Sequence, residues 1–201
     1  MNLPGKNKKI KNLIFGGTFD PIHYGHIEIV KKINLNFSPE KIYVVPSGNP
    51  YMKPKPPVAT PLQRLEMCKL AFNDFNSVKI IDYEIYRDTP SYTFDTLNFL
   101  SSKNIPIDTL ALGEDSFLEL DSWKQGDYLK RKYNFIVIKR SKSSKFSLEK
   151  NDCFYLDRIS SLSSSAIRKK ILLNQSINND TTIEIADYIE DNMLYKNGQS
   201  N

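Results

Sequence analysis

Residues 13–27 read Leu-Ile-Phe-Gly-Gly-Thr-Phe-Asp-Pro-Ile-His-Tyr-Gly-His-Ile, and this stretch decides the fold. The apolar run Leu13 to Phe15 is short and unbroken, as in a strand buried on both faces. Gly16 and Gly17 end it, and helical periodicity follows over Ile27 to Ile33. A strand, a glycine turn and a helix in that order form the start of a βαβ unit. The glycines let backbone approach a ligand, and the new helix offers unpaired N–H groups with a positive dipole end, which suits a phosphate. His23 and His26 lie three apart on the first turn, so both imidazoles can face one anion and donate hydrogen bonds as negative charge builds. The chain has no other histidine. A zinc site would need further ligands that the neighbourhood does not supply.

Outward from that stretch the alternation continues. Ile42 to Val45, Val78 to Ile81, Thr109 to Leu112 and Phe135 to Ile138 read as further buried strands. Between them, Thr60-Pro61 opens a helix with a cap and a proline at its first position, carrying Leu62, Leu65 and Cys68 on one face. Phe94 to Leu100 makes another. A last helix over Thr182 to Leu194 has Ile183, Ile185, Ala186, Ile189 and Met193 at helical spacing. The expectation is an α/β, Rossmann-like open sheet, mostly parallel, with helices on both faces and ligands at the carboxyl ends of the strands. Pro46 to Pro61, with six prolines, and the Lys/Ser-rich Lys139 to Lys150 read as surface loops. There is no internal repeat. One domain over residues 1–201 is expected, frayed at 1–11 and 196–201.

The chain has 201 residues, 40% hydrophobic and 25% charged, enough for an ordinary core. Lys plus Arg number 28 against 23 acidic residues, a net +5. That excess suits nucleic acid or a phosphorylated small molecule, and equally a protein that uses it only for solubility. Cys68 and Cys153 form no C-x-x-C pattern, so neither a disulfide framework nor a thiolate metal site is indicated, and a reducing, cytoplasmic setting fits. No apolar run reaches membrane-spanning length. The aromatic and basic platform of a nucleic-acid binder is not evident.

A second anion site is expected at Leu162-Ser163-Ser164-Ser165-Ala166-Ile167-Arg168, where Ser163 or Ser164 caps a helix and Arg168 adds charge. Taken alone it is an ordinary capped helix.

These motifs resemble the bacterial nicotinate-nucleotide adenylyltransferases, among the nucleotidyltransferases that carry H-x-G-H and an I-S-S-T-x-I-R-like motif. Pro46-Ser47-Gly48-Asn49-Pro50-Tyr51-Met52-Lys53 is similar to the family's P-x-x-x-P-P-H-K loop. Ser91-Tyr92-Thr93-Phe94-Asp95-Thr96-Leu97 is similar to its S-Y-T-x-D-T-L, and Gly113-Glu114-Asp115 with Trp123 to its G-x-D and later W. Tyr188-Ile189 and Leu194-Tyr195 match its ending. Met52 replaces the loop histidine, Tyr51 a proline, and Ser165 a threonine whose hydroxyl it keeps. Nicotinamide-mononucleotide and pantetheine-phosphate adenylyltransferases also resemble this chain at the H-x-G-H turn, and the Ser91 to Leu97 segment with Trp123 argues against the latter.

The resemblance implies adenylyl transfer from ATP to nicotinate mononucleotide, with Mg²⁺ accompanying ATP, no nucleic-acid or membrane partner, and an oligomeric state the sequence leaves open. It implies that His23, His26, Arg168 and Lys53 are catalytic. Gly16, Gly17, Thr18, Phe19, Gly113, Asp115, Ser163, Ser164 and Ser165 would bind ATP, with Asp115 on a ribose hydroxyl. Tyr92, Thr93, Trp123 and Lys124 would bind the mononucleotide, Trp123 by stacking and Thr93 beside the carboxylate.

Overall fold

The computed structural model describes residues 10–52, 55–139, 153–157 and 161–196. Six strands form one sheet: β1 (Asn12–Gly17), β2 (Lys41–Pro46), β3 (Val78–Ile80), β4 (Thr109–Gly113), β5 (Asn134–Lys139) and β6 (Cys153–Asp157). Their order is β3-β2-β1-β4-β5-β6 and every pairing is parallel. The expected open parallel sheet is therefore present. It gains a strand, β6, that the short run Cys-Phe-Tyr-Leu-Asp did not announce.

Strand alternation divides the core in two. Leu13, Phe15, Ile42, Val44, Ala111, Ile136 and Ile138 face one layer. There they meet α1 (Tyr24–Phe37), α2 (Pro61–Ala71), α6 (Ser164–Leu172) and α7 (Ile183–Asp191) through Ile27, Val30, Met67, Cys68, Ile167 and Ile185. Ile14, Tyr43, Val45, Leu110, Leu112, Phe135 and Val137 face the other. That layer is closed by α3 (Thr93–Ser102), α4 (Glu114–Leu118) and α5 (Gly126–Lys132) through Leu97, Leu100, Phe117 and Leu129. Burying apolar strands on both sides is what forces helices onto both faces.

Several local expectations change. Leu65 and Cys68 are buried on α2, but Leu62 is 57% exposed, and Arg64, Met67 and Ala71 complete the inward face. The last helix stops at Asp191, leaving Ile183 and Met193 exposed while Ile185, Ala186 and Ile189 pack inward. Ile10 is buried, and the Lys11 N–H donates to Asp108 Oδ2 at 2.8 Å, so these two residues, expected to be frayed, are held against the fold. Of the ends expected to fray, 1–11 and 196–201, residues 1–9 and 197–201 lie outside the described residues, as does most of the Lys/Ser-rich loop. Both cysteines are buried. Among the described residues no helix is long and apolar enough to cross a membrane.

The order of strands reverses between β1 and β4, and there a crevice must open at the carboxyl ends. Gly16-Gly17 ends β1 and Gly113 ends β4. Both motifs from the sequence converge on that crevice.

Candidate active site

The entry to α1 is capped by histidines. His23, extended at φ −152°, takes the N-cap position, and its Nδ1 accepts the Gly25 N–H at 3.1 Å. His26 Nδ1 accepts the His23 N–H at 3.3 Å, which completes a reciprocal capping box usually built from Ser or Thr and Glu. A ring nitrogen that accepts carries no proton, so Nε2 is the protonated, donating nitrogen of each ring. The rings lie 3.9 Å apart at 34°, with Phe19 edge-on to His26 at 5.0 Å. Phe19 sits at φ 51° and is buried, and a Cβ on Gly17 would stand 2.7 Å from its ring, so glycine is required there by the protein itself. The Asp20–Pro21 peptide is cis.

A cavity of about 640 Å³ opens at this point. It is lined by Gly16, Gly17, Phe19, His23 and His26 from the first motif and by Ser163 and Ser164 from the second. Gly113, Asp115, Tyr92, Thr93, Trp123 and Lys124 complete the predicted residues on its wall. Thr18 borders the adjoining inner chamber of about 180 Å³ instead. Ser165 and Arg168 are absent from the described wall, and Lys53 lies outside the described residues. The first turns of α1 and α6 hold no acidic residue, whereas that of α3 holds Asp95 and that of α4 holds Glu114 and Asp115. The helix field therefore favours an anion between α1 and α6.

The second motif reaches the first through two successive backbone carbonyls. Ser163 Oγ caps α6 by accepting the Ala166 N–H at 3.2 Å. Ser164 Oγ donates to Pro21 O at 2.8 Å, and Arg168 Nη1 donates to Asp20 O at 2.6 Å while standing 3.5 Å from the Asp20 carboxylate. The Ser164 hydroxyl proton is thus committed to the protein, which differs from its expected use on a phosphate. The buried Asp20 carboxylate also accepts the N–H groups of Val58 and Ala59 and, at 2.8 Å, the hydroxyl of Tyr195. Burial pushes the Tyr195 phenol upward, and the Asp20 charge adds to it.

Sequence reasoning missed Arg64. It is fully buried and donates to the carbonyls of Ala59 (3.2 Å), Thr18 (2.8 Å), Ser47 and Gly48 (2.9 Å). Three chain segments are fastened by one guanidinium, two of them at the cavity and its inner chamber. Burial lowers its pKa and the charge of Asp20 opposes this, so it remains a fixed cation behind the turn. A Cβ on Gly48 would lie 1.9 Å from Glu84 O, which explains the glycine beside it.

On the wall formed by Tyr92, Thr93, Trp123 and Lys124, α3 begins at Thr93, and Tyr92 gives it no side-chain cap. Lys124 pairs with Asp95 at 2.7 Å and lies 5.0 Å over the Tyr92 ring, whose other neighbour is Tyr51 at 4.6 Å. Its ammonium is therefore already engaged by a carboxylate. Glu84, buried beside this turn, accepts the Thr96 hydroxyl; burial raises its pKa, only partly opposed by hydrogen bonds from Thr96 and Ser91.

The chain matches the family model described as cytidylyltransferase-like over residues 14–170. A protein of Hydrogenobaculum sp. (strain Y04AAS1) is 35% identical over 90% of this chain and 96% of its own length. One of Clostridium acetobutylicum is 36% identical over 92% and 98%. Both bear the name "Probable nicotinate-nucleotide adenylyltransferase". Among solved structures, nicotinic acid mononucleotide adenylyltransferase of Plasmodium falciparum, complexed with NaAD, superimposes with a TM-score of 0.67 at 26% identity, covering 92% of this chain and 97% of that one. The strand order, the histidine-capped turn and these relatives agree, and the chain belongs to the nicotinate-nucleotide adenylyltransferase family.

Proposed function

We propose that this protein transfers the adenylyl group of ATP to nicotinate mononucleotide, giving nicotinate adenine dinucleotide and pyrophosphate in NAD biosynthesis. The observation that carries the reading is the histidine capping box: two imidazoles locked as Nε2–H donors on the wall of a cavity at an acid-free helix N-terminus.

A phosphate oxygen of the mononucleotide attacks the α-phosphorus of ATP in line. The bond from that phosphorus to the bridging oxygen breaks, and pyrophosphate leaves with the electron pair. No nucleophile is asked of the protein, so its contribution is positioning and charge neutralisation. His23 and His26 donate through Nε2 to the α-phosphate and leaving oxygens, and the backbone from Gly16 to Phe19 cradles the chain of phosphates. Ser163, Ser165 and the remaining N–H donors of Arg168 hold the outer phosphates, with Lys53 adding charge. Ser164 fixes the position of α6. Gly113 and Asp115 meet the ribose, while Trp123, Tyr92, Thr93 and Lys124 form the pyridine end.

Among the described residues no cluster of three or more His, Cys, Asp or Glu is placed to hold a metal ion. Mg²⁺ fits this wall as an escort of ATP, bound by phosphate oxygens and water, where it would neutralise phosphate charge. A single nucleotidyltransferase domain working in the cytoplasm belongs to the same reading.

The test is pyrophosphate release by the purified protein with ATP and Mg²⁺, offering nicotinate mononucleotide, its amide and phosphopantetheine in parallel. Strong preference for the acid is expected. Equal use of the amide overturns the assignment of a carboxylate site near Thr93, and no release with any acceptor overturns adenylyl transfer.

A further inference from the structure

Buried polar side-chain atoms almost always have hydrogen-bond partners, so those that lack one mark places where something else is meant to bind. Among the described residues two such atoms, Ser47 Oγ and Trp123 Nε1, border the same inner chamber. Their coincidence there points to a polar ligand rather than to two unrelated packing faults. An indole N–H can only donate, whereas a hydroxyl can donate and turn.

Ser47 is held in an unusual way. Its N–H donates to Gly17 O at 2.9 Å, and its carbonyl accepts from the buried Arg64 guanidinium. The backbone is fastened on both sides, at the carboxyl ends of β1 and β2, and only rotation about the Cα–Cβ bond is left. Ser47 also borders both the main cavity, with His23 and His26, and the inner chamber, with Thr93 and Trp123. Ser47 is thus among the residues at the junction that a phosphate bridging the two spaces can meet.

Building on the adenylyl-transfer reading, we infer that Ser47 is a binding residue for the acceptor. Its hydroxyl turns into the junction and donates a hydrogen bond to the 5′-phosphate of the mononucleotide, aligning it against the α-phosphate beside the histidines. The hydroxyl exchanges no proton with the substrates and forms no covalent bond. Its unpartnered state in the free protein is the cost of keeping a donor ready, because a buried hydroxyl without a partner is unfavourable until the ligand arrives.

This makes an unusual prediction for Ser47→Ala. Removing an unpartnered buried hydroxyl leaves the ligand-free protein as stable as before or more so, whereas a hydroxyl with a structural role would cost stability. With ATP saturating, S47A raises the KM for nicotinate mononucleotide by about tenfold, the ordinary loss for a hydrogen bond to a charged group. With the mononucleotide saturating, the KM for ATP stays within about twofold on the same reasoning. Thermal unfolding without ligand gives an unchanged or higher midpoint, and added mononucleotide raises that midpoint less in S47A than in the wild type. An unchanged mononucleotide KM overturns the inference, as does a lowered midpoint with both KM values rising together. Wild-type turnover in the same assay separates the two readings. Its absence overturns adenylyl transfer and this inference with it, whereas an active wild type matched by S47A overturns the role of Ser47 alone.

Discussion

The N-termini of α1 and α6 meet the same cavity, yet they are built by opposite means. At α1 the cap is reciprocal, made from two imidazoles, His23 buried and His26 half-buried, whose Nδ1 atoms take backbone N–H groups. At α6 the cap is the exposed hydroxyl of Ser163, and the helix is tied to the rest of the molecule by Ser164 and Arg168, which bond the successive carbonyls of Pro21 and Asp20. One terminus carries its working groups in the cap itself. The other is an accessory hung on the loop that precedes the first. The lesson is that a two-part anion site needs only one fully preorganised half, provided the second half is referenced to it by a short, buried connection.

The Asp20 carboxylate stands beside that connection and holds the surrounding turn, and removing it does the most damage. Asp20→Ala takes the acceptor from the N–H groups of Val58 and Ala59 and from Tyr195, and leaves Arg168 beside no carboxylate from this loop. Breaking a buried, hydrogen-bonded charge typically costs on the order of 3–5 kcal/mol. Denaturant unfolding should show a loss of that size. A loss under about 1 kcal/mol, the value of an exposed pair, would mean that the carboxylate is dispensable and that the Asp20 and Pro21 carbonyls alone anchor α6.

His26→Ala tests the preorganised half. It deletes the acceptor for the His23 N–H, a capping loss of about 1 kcal/mol, and it deletes an Nε2 donor on the cavity wall. Removing one donor of this kind typically slows turnover by about 10²–10³-fold. The expected variant is folded, with a slightly lower thermal midpoint and a large fall in kcat. Near-normal kcat would reduce the histidine pair to a structural cap.

The contrast between the two termini also governs what the sequence made legible. The α1 entry is local: strand, glycines, histidines and helix fall within fifteen residues, and periodicity with turn chemistry locates them together. The parallel sheet follows from the same alternation repeated. What was not legible depends on distant partners. Arg64 stands between Gln63 and Leu65 like any surface arginine of an amphipathic helix, and only the fold brings Thr18, Ser47 and Gly48 around it. Tyr195 finds Asp20 across nearly the whole chain. Strand β6 is five residues long at the sheet edge, too short for periodicity to separate it from a loop. Helical spacing put Leu62, Ile183 and Met193 inside, but each sits at or beyond a helix end, where the buried stripe has run out. The second motif acquired its meaning from the resemblance, since a serine cap and an arginine are common to many helices.

Ser163→Ala is the mildest change and the sharpest comparison of the two caps. The substitution frees the Ala166 N–H, which water can reach because this bond is exposed. Exposure limits the loss to about 1 kcal/mol, confined to the first turn of α6. The helix remains anchored through Ser164 and Arg168, and its N–H groups and dipole still face the cavity. Turnover should therefore fall by less than about tenfold, chiefly through the KM for ATP, because a uniform binding contact has been weakened rather than a donor specific to the transition state. Steady-state kinetics with ATP as the varied substrate, run beside His26→Ala, decides the matter. If Ser163→Ala lowers kcat as far as His26→Ala does, the α6 terminus acts on the reacting phosphate as directly as the histidines, and the two caps are chemical equals despite their different construction.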